Sequence, residues 1–176
     1  KLQKARLELA LHQIKPHFLQ NALMSIKVLC RTRPKEAEQA VYDFAVFLRG
    51  NMNALESAEM IPFREECKTI ERYLHIEKIR FGERLQVQWD LQEEKFRIPP
   101  LTIQPLVENA VCHGICQKME GGTVQIRSFR KNGEICVQIL DDGAGFDTEK
   151  LKDADGIAIR NLKLRLKEFL NADLEI

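Results

Sequence analysis

Nothing in this sequence approaches the ~20 consecutive apolar residues that a membrane-spanning helix requires. Charge of one sign is equally lacking: 27 basic residues stand against 26 acidic ones. The chain therefore has no global electrostatic reason to bind nucleic acid or anionic lipid, and any anion site must be local. A secretory leader is not visible. The sequence opens KLQKARLELALHQIK, without an initiator Met and already in helical rhythm, and reads as a piece of a longer protein. The cysteine count is odd, five, and no CxxC pair occurs, which argues against a disulfide framework and against a zinc site. Cys30, Cys67, Cys112, Cys116 and Cys136 are expected to be buried free thiols in a reducing compartment. Internal repeats and low-complexity tracts are absent.

What is present divides into two modules. With 176 residues, 44% of them hydrophobic, there is room for a small helical module and one α/β domain. Leu7, Leu11, Ile14, Phe18, Ala22 and Ile26 recur at helical steps, with Pro16 placed to kink the helix before His17. RTRPKE breaks that helix, and Ala37, Val41, Phe44, Ala45, Leu48 and Met52 form the apolar stripe of a second. A third follows Pro62 and runs to Phe81, with Gly82 as its stop. The period then changes to two. LQVQWDL, TVQIRSF and EICVQIL alternate as half-buried strands, the last two joined through Asn132-Gly133, a strong hairpin signal. Helices are expected from about Leu101 to Cys116 and from Ile157 to Leu170, and the final ADLEI reads as the start of a further strand. The expected class is α+β: a helical module over residues 1–82, then a layered α/β domain over 83–176 that continues beyond Ile176.

Four segments carry chemistry. DDGAGFD follows a strand, so Asp141 ends that strand beside a loop in which Gly143 and Gly145 permit close approach. A carboxylate there can accept a hydrogen bond from an exocyclic amine such as that of adenine. The loop has no P-loop lysine, which excludes a Walker mechanism. In LVENAVCHG, Asn109 and His113 share a helix face, with Glu108 one residue over. An amide oxygen in that position suits Mg²⁺. Gly156 opens a helix whose first N–H groups are available to phosphate, and the polar segment before it suits a lid. Upstream, His17 and Asn21 share a helix face, and a neutral imidazole can accept a phosphoryl group. His12 and His75 are expected to have no such role.

In this order and spacing the segments resemble the LytS/YehU-type sensor histidine kinases. Their acceptor helix is matched by Gln13-Ile14-Lys15-Pro16-His17-Phe18-Leu19-Gln20-Asn21, and their third helix by Tyr73-Leu74-His75-Ile76-Glu77-Lys78-Ile79-Arg80-Phe81. Their N box is matched from Pro100 to Gly114, and their glycine boxes at Asp141, Gly143 and Gly145 and at Gly156-Ile157-Ala158-Ile159-Arg160-Asn161, followed by Arg165-Leu166.

The resemblance implies a two-layer sandwich of the gyrase, Hsp90 and MutL kind (the GHKL or Bergerat type), incomplete at its C-terminus, that binds ATP and Mg²⁺. It implies that Asp141 holds the adenine amine and that Asn109 ligates Mg²⁺. It implies that Glu108, as a catalytic residue, and His113 lie near the phosphates, and that Gly114, Gly143, Gly145, Gly156, Ile157 and Asn161 line the nucleotide. It implies a homodimer, autophosphorylation of His17 and transfer to the aspartate of a response regulator with LytTR- or AraC-type output. It implies that Asn21, one turn after His17, lies where such kinases often place a residue that assists dephosphorylation of that regulator. Direct nucleic-acid contact is not implied. The chain would be the cytoplasmic portion of a bacterial inner-membrane protein, attached only through segments preceding it. Phe18 follows the acceptor where many such kinases carry an acidic base. Ala158 replaces a usual glycine, Asp142 a common Asn, Gln20 a frequent Phe and Cys112 a frequent basic residue. Ala158 favours a signalling scaffold of the same fold as the alternative, and a conformational ATPase is a more distant one.

Overall fold

The computed structural model describes residues 16–56, 59–145 and 154–175. The expected kink before His17, the residues from Leu7 to Ile14, His12 and the proposed lid over residues 146–153 lie outside the described residues. Two compact units are present, Lys1–Ala58 with Lys68–Gly82 and Glu59–Cys67 with Glu83–Ile176, as far as each is described.

In the first unit α1 (Pro16–Thr32) and α2 (Pro34–Glu56) are separated by Arg33 alone. Pro34 sits at the first position of α2, where its missing N–H interrupts no helical bond. α3 (Phe63–Phe81), whose residues up to Cys67 belong to the second unit and those from Lys68 on to this one, ends at Gly82, whose φ of 58° closes the helix in the left-handed region. Spacing decides what α1 buries: Phe18, Ala22, Ile26 and Leu29 form one line. Ile26 and Leu29 cluster with Ala37 and Ala40 of α2, and Phe44 and Ile79 pack beside them. The buried face of α2 is rotated away from the expected stripe. Ala37, Ala40 and Phe47 are buried, whereas Val41 and Met52 are exposed. At 100° per residue, positions 41 and 52 fall beside the buried line rather than on it. His75 pairs with the buried Asp43 at 2.7 Å and so ties α3 to α2.

The second unit contains a mixed sheet in the order β2-β4-β5. β2 (Leu85–Leu91) runs parallel to β4 (Gly122–Lys131), in register from Leu85↔Gly122 to Leu91↔Ser128. β4 and β5 (Glu134–Asp141) form the expected antiparallel hairpin, with Asn132 at φ 53° and Gly133 at φ 87°. Alternation on β4 buries Val124, Ile126 and Ser128. A small unanticipated ladder pairs β1 (Ile61–Pro62) with β3 (Arg97–Ile98).

The helix expected from Leu101 is shorter and of two kinds. α4 spans Gln104–Asn109 and passes directly into a π-helical segment, Ala110–Ile115. That segment ends with the Cys116 N–H bonded to the Val111 carbonyl, five residues back, at 2.9 Å. Leu101 has a φ of 58°, which keeps it out of the helix. The last helix, α5 (Ala154–Leu170), begins earlier than expected, and Gly156 is its third residue.

No strand forms over residues 171–175. Asn171 instead caps α5 at φ 50°, its N–H bonded to the Lys167 carbonyl at 3.2 Å. Among the cysteines, Cys67 is buried, Cys30 is exposed and the other three are half-buried. The expectation of buried thiols thus holds for Cys67 alone. Among the described residues no helix is long and apolar enough to cross a membrane.

Candidate functional site

The α4–π helix carries Glu108 and Asn109 at the end of its α part and Gly114 in its π part. The side chain of His113 lies outside the described residues. The wider π turn presses the chain against β4 and β5, and such turns recur at functional sites. Val107, Val111 and Ile115 are fully buried on this helix. Gln104, one turn before Glu108, donates its side-chain amide to the Glu108 carboxylate at 2.8 Å.

At the end of β5 the chain meets this helix. The Asp141 carboxylate lies over the Cα of Gly114, so that a Cβ on Gly114 would fall 2.9 Å from Cγ of Asp141 and nearer still to Oδ1. Gly143 is equally close: its Cβ would lie 2.5 Å from the Gly114 carbonyl oxygen. The Ala144 N–H donates to that same carbonyl at 3.1 Å. Asp141 Oδ1 accepts the Gly143 N–H at 3.0 Å, and the carboxylate remains exposed. Two segments 27 residues apart in sequence are therefore in contact at Gly114, Asp141 and Gly143. Gly145, at φ 68°, is the glycine of this loop whose backbone angle disfavours other residues.

Asp142 is engaged through both its side chain and its backbone. Its Oδ1 accepts the Thr123 N–H at 2.6 Å, and its carbonyl accepts from Lys118 Nζ at 3.0 Å. It fastens the loop to the start of β4.

Gly156 and Ile157 fall within the first four residues of α5, whose N–H groups have no intrahelical acceptor. Asn161 is exposed on that helix. Arg165, one turn further on, donates to the Pro100 carbonyl at 2.6 Å, which joins α5 to the segment leading into α4.

His17 and Asn21 belong to the other unit, on α1. His17 is exposed, and the Asn21 amide nitrogen lies 3.1 Å from its Nε2 and 3.2 Å from its Nδ1. Phe18, beside it, points inward. Its ring centroid is 5.0 Å from that of Tyr73 and 5.2 Å from that of Phe47. Burying Phe18 on one side of the helix turns His17 to solvent on the other.

Comparison with known proteins decides the family. Residues 5–85 match the family model described as Histidine kinase. Over 99% of its length the chain is 34% identical to the sensor histidine kinase BtsS of Escherichia coli (strain K12), and over 94% it is 30% identical to the sensor protein LytS of Bacillus cereus. The chain belongs to the LytS-type sensor histidine kinases. It is also 36% identical to protein YwpD of Bacillus subtilis (strain 168), over 99% of this chain and 66% of that protein. The chain spans about a third of the length of the sensor kinases it matches, 31% of BtsS and 30% of LytS. A solved structure of the Erythrobacter litoralis EL346 blue-light activated histidine kinase superposes with a TM-score of 0.50, over 98% of this chain and 59% of that one. At 18% identity this likeness concerns the fold alone.

Glu66 and Gln104 were not legible as site residues. Glu66 reads as an ordinary acidic residue in the first turn of a helix, and only the structure shows that it is buried and bonded to residues 37 and 38 positions away.

Proposed function

We propose that this chain is the kinase region of a two-component sensor, transferring the γ-phosphoryl group of Mg-ATP to His17 and then to an aspartate of a response regulator. The observation that carries the reading is the contact of Asp141 with Gly114, which brings the strand-end carboxylate and the Glu108–Asn109 helix to one place. The residues fit the nucleotide. Asp141 is an exposed acceptor for an exocyclic amine, and Glu108 and Asn109 supply hard oxygens suited to Mg²⁺. The start of α5, with Gly156 and Ile157, supplies N–H groups suited to phosphate, and Gly143, Gly145 and Asn161 complete the lining. His113 belongs to the same set by sequence.

Phosphoryl transfer needs positioning and charge neutralisation more than covalent chemistry from the protein. The lone pair of a neutral His17 nitrogen forms the N–P bond as the P–O bond to the β-phosphate breaks, and the ring proton leaves to solvent. Asn21 is placed to donate to an unprotonated ring nitrogen, and in the regulator-directed step to assist hydrolysis. The working form is a homodimer whose parent protein is anchored in a bacterial inner membrane with this region in the cytoplasm. The regulator carries a LytTR- or AraC-type output.

Incubation with γ-labelled ATP and Mg²⁺ tests the reading. An acid-labile label that is lost in His17→Gln is the expected result. A chain that folds and binds ATP yet takes up no label would instead support the signalling scaffold, the reading that Ala158 in the second glycine box favours.

A further inference from the structure

Glu66 belongs to none of the motifs above, yet it holds the start of the helix that carries them. Its side chain projects from the first turn of α3 and is 2% exposed. Oε1 accepts the N–H of Ile103 at 2.5 Å and that of Gln104 at 3.0 Å. A helix start leaves such N–H groups without intrahelical acceptors, and no side chain of the segment itself caps α4. Gln104, gripped by its N–H, in turn holds Glu108 through its side chain. A chain of contacts thus leads from Glu66 to a residue of the nucleotide site.

The carboxyl group is also poised between two states. Burial pushes its pKa up from 4.5 to about 7, although the N–H groups of Gln104, Ile103 and Thr102 and the charge of Arg165 all pull it down. Arg165, from α5, is the charged group that faces it. Its neighbours on the segment leading into α4 are uncharged, and Arg64 and Glu65 beside it on α3 are exposed. Oε2 has no hydrogen-bond partner among the described residues.

Ionised, the group is a strong acceptor matched to the positive end of a helix and to Arg165. Protonated, it is a weaker acceptor and carries an O–H that no described residue accepts. We propose that Glu66 is a positioning residue for the nucleotide site, holding the helix of Glu108 and Asn109 in place when ionised and relaxing it when protonated. The inference rests on the reading of that helix as nucleotide-binding, and it makes ATP affinity fall as pH drops through neutrality.

The test follows the Ile103 and Gln104 amide signals by NMR in the ligand-free chain from pH 5.5 to 8.5, beside titrations with ATP and Mg²⁺ over the same range. Both amides are expected to shift with a midpoint near pH 7, and ATP affinity to fall roughly fivefold toward the acid side, a modest coupling by linkage. Glu66→Gln, which keeps an acceptor but cannot ionise, should abolish both effects. Either pH dependence persisting undiminished in Glu66→Gln would overturn the proposal, because another titrating group would then be responsible. Amides that titrate while ATP affinity stays flat would also overturn it, leaving Glu66 a cap and nothing more. Failure of the wild-type chain to bind ATP at any pH would contradict the nucleotide reading itself. The amide titration would then still decide whether Glu66 controls the helix start.

Discussion

The carboxylate of Asp141 rests on the Cα of Gly114, so closely that no side chain fits between them. One residue ends β5 and the other lies in the π-helical segment after Asn109. Gly114→Ala would drive a methyl group into that carboxylate and, through Gly143, into the loop. Overpacking of this kind costs about 1–3 kcal/mol. A lowered melting temperature together with weakened ATP binding is expected. An alanine variant that melts and binds as the wild type would show that the contact is loose.

Phe18 anchors the helical unit, touching the rings of Phe44, Phe47 and Tyr73. Phe18→Ala should cost about 3–5 kcal/mol, whereas His17→Gln, at an exposed position, should leave stability nearly unchanged. Thermal denaturation of the two variants checks this: equal losses would show that Phe18 packs no more firmly than its exposed neighbour His17.

The raised pKa of Glu66 has a sign in stability. Its folded value, about 7, lies above the ordinary 4.5, so the folded chain binds this proton more tightly than the unfolded one. The stabilisation is complete below about pH 4.5 and is lost as pH rises through about 7, on the order of 3 kcal/mol in all. The melting temperature of the wild type relative to Glu66→Gln should therefore fall between pH 5 and pH 8. A constant difference would mean that the carboxyl titrates normally. Global stability and local grip respond oppositely: the buried charge strains the fold while it tightens the helix start.

Asp142→Ala removes the acceptor for the Thr123 N–H. A cost of about 1–3 kcal/mol is expected, with faster amide exchange at Thr123. Unchanged exchange there would show that the fastening is dispensable.

Much of this was legible in the sequence because the signals were local. Alternation in LQVQWDL, TVQIRSF and EICVQIL, the Asn132-Gly133 turn and the stop at Gly82 each depend on a few adjacent residues. The α2 stripe misled because Val41 and Met52 are apolar but lie just off the buried line. ADLEI alternates like a strand, but alternation supplies no partner, and Asn171 before it caps the helix. The π segment has no pattern of its own in LVENAVCHG. Glu66 escaped because burial and a bond across 37 residues are properties of the packed chain. Of the candidate site, the sequence offers the motif residues, whose roles stand as proposed above. The contact of Asp141 with Gly114 and the hold of Gln104 on Glu108 were not legible in it, since spacing along the chain does not report proximity in space.

The most direct measurement is a calorimetric titration of Mg-ATP into the wild-type chain and into Asp141→Asn. Asparagine retains an oxygen for the Gly143 N–H but loses the charge that would receive the adenine amine, so the loop should keep its shape. Saturable binding by the wild type, weakened about tenfold or more in the variant, is the expected result for a charge-assisted bond. Equal affinities would contradict the claim that the carboxylate over Gly114 receives the nucleotide.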